Sequence, residues 1–363
     1  MPANKPTSYT WYRGESTNFL PGKDALLSPD GIADFVVRGW EPAEPFIDRS
    51  TNFTAFGSCF AAHISEWLAK RNYNILTKQE SGKAYVIRCG EGLVNTFAIL
   101  GQFEWAFENR VPEGEFWHGY DAEAFGYDDT IRRETRDIFL STDLFILTFG
   151  LSEVWYDKPT GEVFWRAVPM DKFDPGRHGF RLTTPEENAA NIERIYGLIR
   201  RHVPKAKAIL TLSPVPLIAT FRSMPCISAS TVSKATLRIA IDQVIGAHRN
   251  DGVLHYWPSY EIVMEAFADN WEADRLHVKW PILDYVMTLF EAIWCRQGPS
   301  RKQLIDALIL ARRSEGAIPQ QFFDYVDTGS LDMAKSVIAK WREADTGLIG
   351  IAALADEWLA LRD

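Results

Sequence analysis

Phe53-Thr54-Ala55-Phe56-Gly57-Ser58-Cys59-Phe60-Ala61 compresses an apolar, strand-like run, a glycine turn and the beginning of a helix into nine residues. A helical pattern continues from about His63 to Arg71. A glycine turn between strand and helix, with Ser and Cys side by side, is a place where α/β enzymes display a nucleophile. The glycine lets the backbone turn sharply and lets a substrate come close. The helix start offers unpaired N–H groups and a partial positive charge, which favour a thiolate or an oxyanion. On these residues both Ser58 and Cys59 stand as candidates, and the rest of the chain must supply a base and an acid to orient it.

Outward from this stretch, residues 1–50 read as a loop-rich lead-in punctuated by Pro21, Gly22, Pro29, Pro42 and Pro45. A short strand is expected at Tyr73 to Thr77 and an amphipathic helix over 92–108. Asp143 to Gly150 is a continuous apolar run, the mark of a central parallel strand buried on both faces. Two excursions, 110–136 and 155–182, interrupt the pattern, and the second has a hairpin-like aromatic stretch. Thr184-Pro185-Glu186-Glu187 announces a helix, with Ile192, Ile195, Tyr196 and Ile199 at helical spacing. Ala208 to Pro214 and Val253 to Trp257 read as further strands, and Ser230 to His248 and Leu283 to Cys295 as helices. Strands alternating with helices predict an α/β fold whose parallel sheet is covered on both faces. Gly298-Pro299-Ser300 marks a boundary between a domain at 51–297 and a helical extension at 298–363, with helices expected at 301–313, 331–342 and 349–361.

The chain has 363 residues, 46% hydrophobic and 24% charged, which suits a soluble protein with one large domain or two smaller ones. A net charge of −9 argues against a general nucleic-acid binder, which needs a broad basic face. The four cysteines are scattered without a CxxC, so neither a disulfide framework nor a zinc signature is read. Met1 to Asn18 lacks the apolar core of a signal peptide, and no apolar run approaches the roughly 20 residues that span a bilayer. The expectation is a reduced, cytoplasmic protein. Most of the 13 tryptophans read as packing, with a minority suited to stacking on sugar rings.

A base must be a histidine or carboxylate near the C-terminal edge of the sheet. Of the seven histidines, His63 lies one turn into the first helix, and five others lack a recognisable acidic partner. His277 has one: Asp274-Arg275-Leu276-His277 sets a carboxylate three residues before the imidazole. In a turn that spacing lets the carboxylate face Nδ1–H and present Nε2 to a nucleophile. The pair follows the last strand, where a loop returns to the sheet edge.

Gly57-Ser58-Cys59-Phe60-Ala61 resembles the signature of the GSCFA family, in the SGNH (GDSL-like) hydrolase group. The likeness runs over roughly residues 40–295 and includes Gly150-Leu151-Ser152-Glu153-Val154-Trp155, Leu212-Ser213-Pro214-Val215, Ser233-Lys234, Pro258-Ser259-Tyr260-Glu261 and the Asp274 and His277 pair. It leaves out the helical tail after 300. The resemblance implies a three-layer α/β/α sandwich of the flavodoxin-like kind and acyl-ester chemistry. In the Gly-Asp-Ser pattern of that group the third residue attacks, so Gly57 matches the glycine and Cys59 the nucleophile. A capsule-polysaccharide acetyltransferase family with Gly-Asn-Cys is similar here. Cys59, His277 and Asp274 are thus the expected triad. Ser58 is the competing nucleophile and otherwise a helix N-cap.

The resemblance also implies an oxyanion hole from the Cys59 N–H, a glycine N–H and an asparagine amide. Gly150 stands at the expected glycine-led motif, but Ser152 replaces its asparagine. Asn95 is the alternative amide, and Gly90 and Gly92 are candidate glycine donors. Val278 stands where the family usually has proline. Ser213, at a strand end, and Lys234, early in the next helix, are candidate substrate contacts. Lys234, Arg132, Arg133 and Arg136 are where charge would place coenzyme A phosphates. The expected activity is hydrolysis of an O-acyl ester, or transfer of the acyl group to a glycan hydroxyl, with no required cofactor and with acyl-CoA as a donor the chemistry allows. The alternative is a non-catalytic glycan- or partner-binding protein on the same fold. A metal site on Asp274 and His277 is a third reading, without further ligands at metal-like spacing. The C-terminal helices offer a surface for self-association or docking.

Overall fold

The computed structural model describes residues 14–78, 82–113, 116–118, 123–343 and 347–362. Its sheet has five strands: β1 (Asn52–Phe56), β2 (Asn74–Ile75), β3 (Leu144–Phe149), β4 (Lys207–Leu212) and β5 (Leu254–Tyr256). Their order is β2-β1-β3-β4-β5, and every pairing is parallel. The chain leaves β1 toward β2 and later returns to β1's other side as β3. That reversal opens a crevice at the C-terminal ends of β1 and β3, where doubly wound sheets bind ligands.

Period-two side-chain alternation divides β3 between two cores. Leu144 and Ile146 join Phe53 and Ala55 of β1 in one, and Phe145, Leu147 and Phe149 join Phe56 in the other. The first core is covered by α1 (Cys59–Lys70) through Phe60, Ile64 and Leu68. The second is covered by α2 (Thr96–Glu108), α3 (Asp129–Leu140), α4 (Pro185–His202) and α5 (Cys226–His248). The predicted Thr184 capping box starts α4, with Pro185 in its first turn. Beyond β5, α6 (Ser259–Ala266) and α7 (Trp280–Trp294) return to the first core. The sandwich therefore has the three layers expected.

Details of the expected excursions change. The 110–136 stretch includes most of α3, which belongs to a helical layer and is capped by Asp128. Arg132, Arg133 and Arg136 dominate its composition, while Ile138 and Phe139 make its contact with the core. The 155–182 excursion contains an antiparallel hairpin, Glu153–Asp157 against His178–Leu182.

The C-terminal segment forms α8 (Arg301–Ser314), α9 (Gln320–Asp327), α10 (Leu331–Glu343) and α11 (Ile349–Ala360), one helix more than expected. These helices share the first core with α7: Ile305, Leu308 and Ile309 pack in one cluster with Val286 and Phe290. The lead-in reaches them too, since Asp24 Oδ1 accepts the Ile349 N–H at 2.8 Å at the start of α11. Among the described residues no helix is long and apolar enough to cross a membrane.

Candidate active site

Gly57 sets the turn. Its φ is +136°, and a Cβ there would lie 2.0 Å from the Thr148 carbonyl oxygen. Only glycine tolerates both the conformation and the approach. Its N–H donates to the Gly90 carbonyl at 2.8 Å, so the turn is tied to β3 and to the 90–92 loop.

Ser58 is buried and caps α1. Its Oγ accepts the Phe60 N–H at 3.1 Å. That contact places the Ser58 hydroxyl in the capping role, with the side chain out of solvent. Cys59, the first residue of α1, is exposed. Its Sγ has no hydrogen-bond partner on another of the described residues. Its thiol is pushed up in pKa, first by desolvation among neighbouring protein atoms and then by the Glu91 carboxylate. Its own N–H and the Arg166 guanidinium oppose this without overcoming it. Desolvation and Glu91 thus outweigh the Cys59 N–H and favour the protonated thiol.

Asp274 and His277 lie on the loop between α6 and α7. His277 Nδ1 and Asp274 Oδ2 are 2.5 Å apart. Asp274 Oδ1 accepts the Leu276 and His277 N–H groups at 2.9 and 3.0 Å, and Arg275 takes a left-handed φ of +58° to close the turn. The His277 N–H, the His277 ring and the Leu276 N–H hold the Asp274 carboxyl down at about 2. With Nδ1 engaged, Nε2 is the nitrogen available to a substrate or nucleophile. The pair is open to solvent, and the His277 ring does not bond to the Cys59 thiol. His277 does act electrostatically on His63, one turn after Cys59 on α1. Desolvation is the largest influence on half-buried His63, and it lowers the imidazole's pKa. Cys59, His63 and the His277 loop thus belong to one neighbourhood.

The expected oxyanion and substrate residues divide. The N–H groups of Cys59 and Gly90 are bonded to no other described residue, Cys59 being exposed and Gly90 buried. Gly150 is excluded as an amide donor, because its N–H donates to the Val94 carbonyl at 2.7 Å. Ser152 is fully buried: its N–H donates to Ser233 Oγ at 2.8 Å and its Oγ to the Ser233 carbonyl at 3.1 Å. Asn95 is buried as the N-cap of α2, accepting the Ala98 N–H at 2.8 Å and reaching the Trp165 carbonyl at 3.4 Å.

Ser213 and Lys234 are also interior. Lys234 is 4% exposed, and its Nζ donates to the carbonyls of Gly150 and Ser213 at 2.6 and 2.7 Å. It ties together the departing ends of β3 and β4, where carbonyls have run out of strand partners. Burial pulls its pKa down to about 7. It therefore does not face a ligand phosphate. Its place was legible in outline: Ser230, Ser233, Lys234 and Leu237 have the spacing of one helix face, and all four are buried. Arg132 and Arg133 are each paired with Asp129, leaving Arg136 the exposed cation of that set without an ion pair among the described residues.

Three residues near the thiol were not singled out from the sequence for roles: Glu91, His63 as a neighbour of His277, and Arg166. Arg166 is half-buried with no ion-pair partner among the described residues. It follows Trp165, whose carbonyl meets Asn95. Spacing carries no signal for it, because it arrives from an excursion. His248, read as lacking an acidic partner, has one in Glu193 at 2.8 Å, but at the far end of α5. Cys59, Cys89, Cys226 and Cys295 are all free thiols. Among the described residues no group of three or more His, Cys, Asp or Glu side chains is arranged to hold a metal ion. No curated protein matches the chain. The GSCFA family model matches residues 52–290, and the chain belongs to the GSCFA family.

Proposed function

We propose that this GSCFA-family chain is an acyl-transfer enzyme acting on O-acyl esters of a glycan or related hydroxyl compound, with Cys59 as nucleophile, His277 as base and Asp274 as its orienting acid. The observation that carries the reading is the ready-made Asp274–His277 pair, 2.5 Å apart, in the same neighbourhood as an exposed cysteine at the start of α1. In the first step Sγ attacks the ester carbonyl while its proton passes to His277 Nε2. The oxyanion takes the N–H groups of Cys59 and Gly90. Collapse breaks the C–O bond, and the departing alkoxide takes the proton from Nε2. Water or an acceptor hydroxyl then attacks the Cys59 thioester, giving its proton to Nε2, and the thiolate leaves and is reprotonated.

The protonated resting thiol supports a mechanism that depends on the base. The resemblance to SGNH hydrolases supports the same class of chemistry. No cofactor is needed, and acyl-CoA suits the site as a donor because thioester exchange at Cys59 conserves bond energy. Free thiols suit a reducing compartment such as the cytoplasm. The test is intact-protein mass spectrometry after incubation with p-nitrophenyl acetate or acetyl-CoA. An acetyl adduct mapped to Cys59, with turnover abolished in Cys59→Ala, is expected. Full turnover in Cys59→Ala would refute the assignment.

A second reading, a non-catalytic glycan- or partner-binding protein, is favoured by the lack of a hydrogen bond between the His277 ring and the thiol and by the buried Ser152. It predicts glycan binding that Cys59→Ala leaves unchanged, without any acyl adduct.

A further inference from the structure

The loop carrying Asp274 and His277 is gripped at both stems by the end of α8, beyond the residues that match the family. On the outgoing stem, Arg312 Nη1 donates to the Ala266 carbonyl at 2.7 Å, and its guanidinium lies 4.7 Å from the centre of the Phe267 ring. Glu315 Oε2 accepts the Ala268 N–H at 2.7 Å, while its Oε1 pairs with Arg312 at 2.7 Å. On the return stem, Lys279 Nζ donates to the Ser314 carbonyl at 2.9 Å and to Asp269 at 2.6 Å. Between the stems the loop closes as a ladder. The Lys279 N–H meets the Asn270 carbonyl at 3.0 Å, Trp271 pairs with Val278, and the Glu272 N–H meets the His277 carbonyl at 2.8 Å. Successive rungs connect the grip to His277.

The side chains of Arg312 and Glu315 are 0% and 3% exposed. A buried ion pair is a weak source of stability, since apolar residues of similar volume often serve as well. What this pair adds is direction: it fixes one carbonyl and one N–H on either side of Phe267. We infer that Arg312 and Glu315 are positioning residues, through which the C-terminal helical segment sets the place of His277 relative to Cys59. The catalytic consequence rests on the acyl-transfer reading; the grip itself does not.

The experiment uses the full chain and its Glu315→Ala, Glu315→Gln, His277→Ala and Glu315→Ala/His277→Ala variants. Hydrogen exchange is followed over 268–279, and kcat and KM are measured for p-nitrophenyl acetate. Glu315→Ala is expected to speed exchange in that loop about tenfold or more. It should lower kcat by roughly ten- to a hundredfold with KM little changed, the scale of a misplaced catalytic group. Glu315→Gln, which keeps an acceptor for Ala268, should restore most of kcat. In the His277→Ala background Glu315→Ala should lower the residual rate no further.

Unchanged exchange in Glu315→Ala overturns the grip. Independent, multiplicative losses in the double variant overturn positioning through His277. Wild-type kcat in His277→Ala removes the base assignment and the catalytic role together, while the exchange result still decides the grip. Should Glu315→Ala not fold, Lys279→Met releases the return stem, and the same measurements decide on it.

Discussion

Replacing Gly57 by alanine is the most direct challenge to the turn that presents Cys59. The added Cβ would lie 2.0 Å from the Thr148 oxygen, whereas real Cβ contacts under 3.0 Å essentially never occur. Turn and β3 must therefore part by at least about 1 Å, against close-packed surroundings. Overpacking of that kind costs roughly 1–3 kcal/mol. The φ of +136° adds backbone strain of about 1–3 kcal/mol for any residue with a Cβ. Together they predict a loss of about 2–6 kcal/mol, a large share of the roughly 5–15 kcal/mol that holds a domain folded. Equilibrium urea unfolding of parent and variant measures it, with p-nitrophenyl acetate turnover recorded where the variant remains folded. Turnover should fall further than the folded fraction, because the separation displaces Cys59, two residues after Gly57. A destabilisation below about 1 kcal/mol with full turnover would refute the reasoning.

Other outcomes follow from the charges around the site. Asp274→Asn should lower kcat by roughly ten- to a hundredfold, less than the effect of a buried triad carboxylate, since solvent partly replaces an exposed partner. With the Asp274 carboxyl held at about 2, its own protonation should not diminish that loss above about pH 4. The pH midpoint of Cys59 alkylation by iodoacetamide should rise in Arg166→Gln and fall in Glu91→Gln, because these charges act on the thiol with opposite sign. Shifts in the same direction would contradict that arrangement. Lys234 has a folded pKa of about 7, below the unfolded value of about 10.4, so the unfolded chain binds more protons between those limits. Its contribution to stability should rise with pH across that window, by up to about 1.4 kcal/mol per unit. Urea unfolding at pH 7, 8 and 9 should show this slope in the parent and lose it in Lys234→Met.

Long apolar runs made the fold legible. Asp143 to Gly150 could only be a strand buried on both faces, and Thr184 to Glu187 only a helix start, because each satisfies local backbone rules with few alternatives. The site was legible where chemistry and backbone geometry coincide. Gly57 had to be a glycine turn, and the Asp274–His277 spacing closes within one turn of chain. It was least legible where a residue's role depends on which side of a helix faces inward. Lys234 read as a contact for substrate or for coenzyme A phosphates, yet it lies on the buried stripe of α5 and serves two strand-end carbonyls. Ser152 stands at the donor motif's position and Asn95 is the alternative amide, but their polar groups are already committed to Ser233 and to the α2 cap.

By itself the sequence determined the alternation of strands and helices, the glycine turn before Cys59 and the carboxylate beside His277. All of these are settled within a few residues of chain by backbone geometry and side-chain chemistry. Only the tertiary structure decided that Ser58 is buried and Cys59 exposed, that desolvation and Glu91 outweigh the Cys59 N–H at the thiol, and that Arg166 stands nearby. It alone joined the tail to the loop of His277, through Arg312, Ser314 and Glu315. Burial, desolvation and contacts across hundreds of residues depend on which surfaces meet, and no local pattern encodes that meeting.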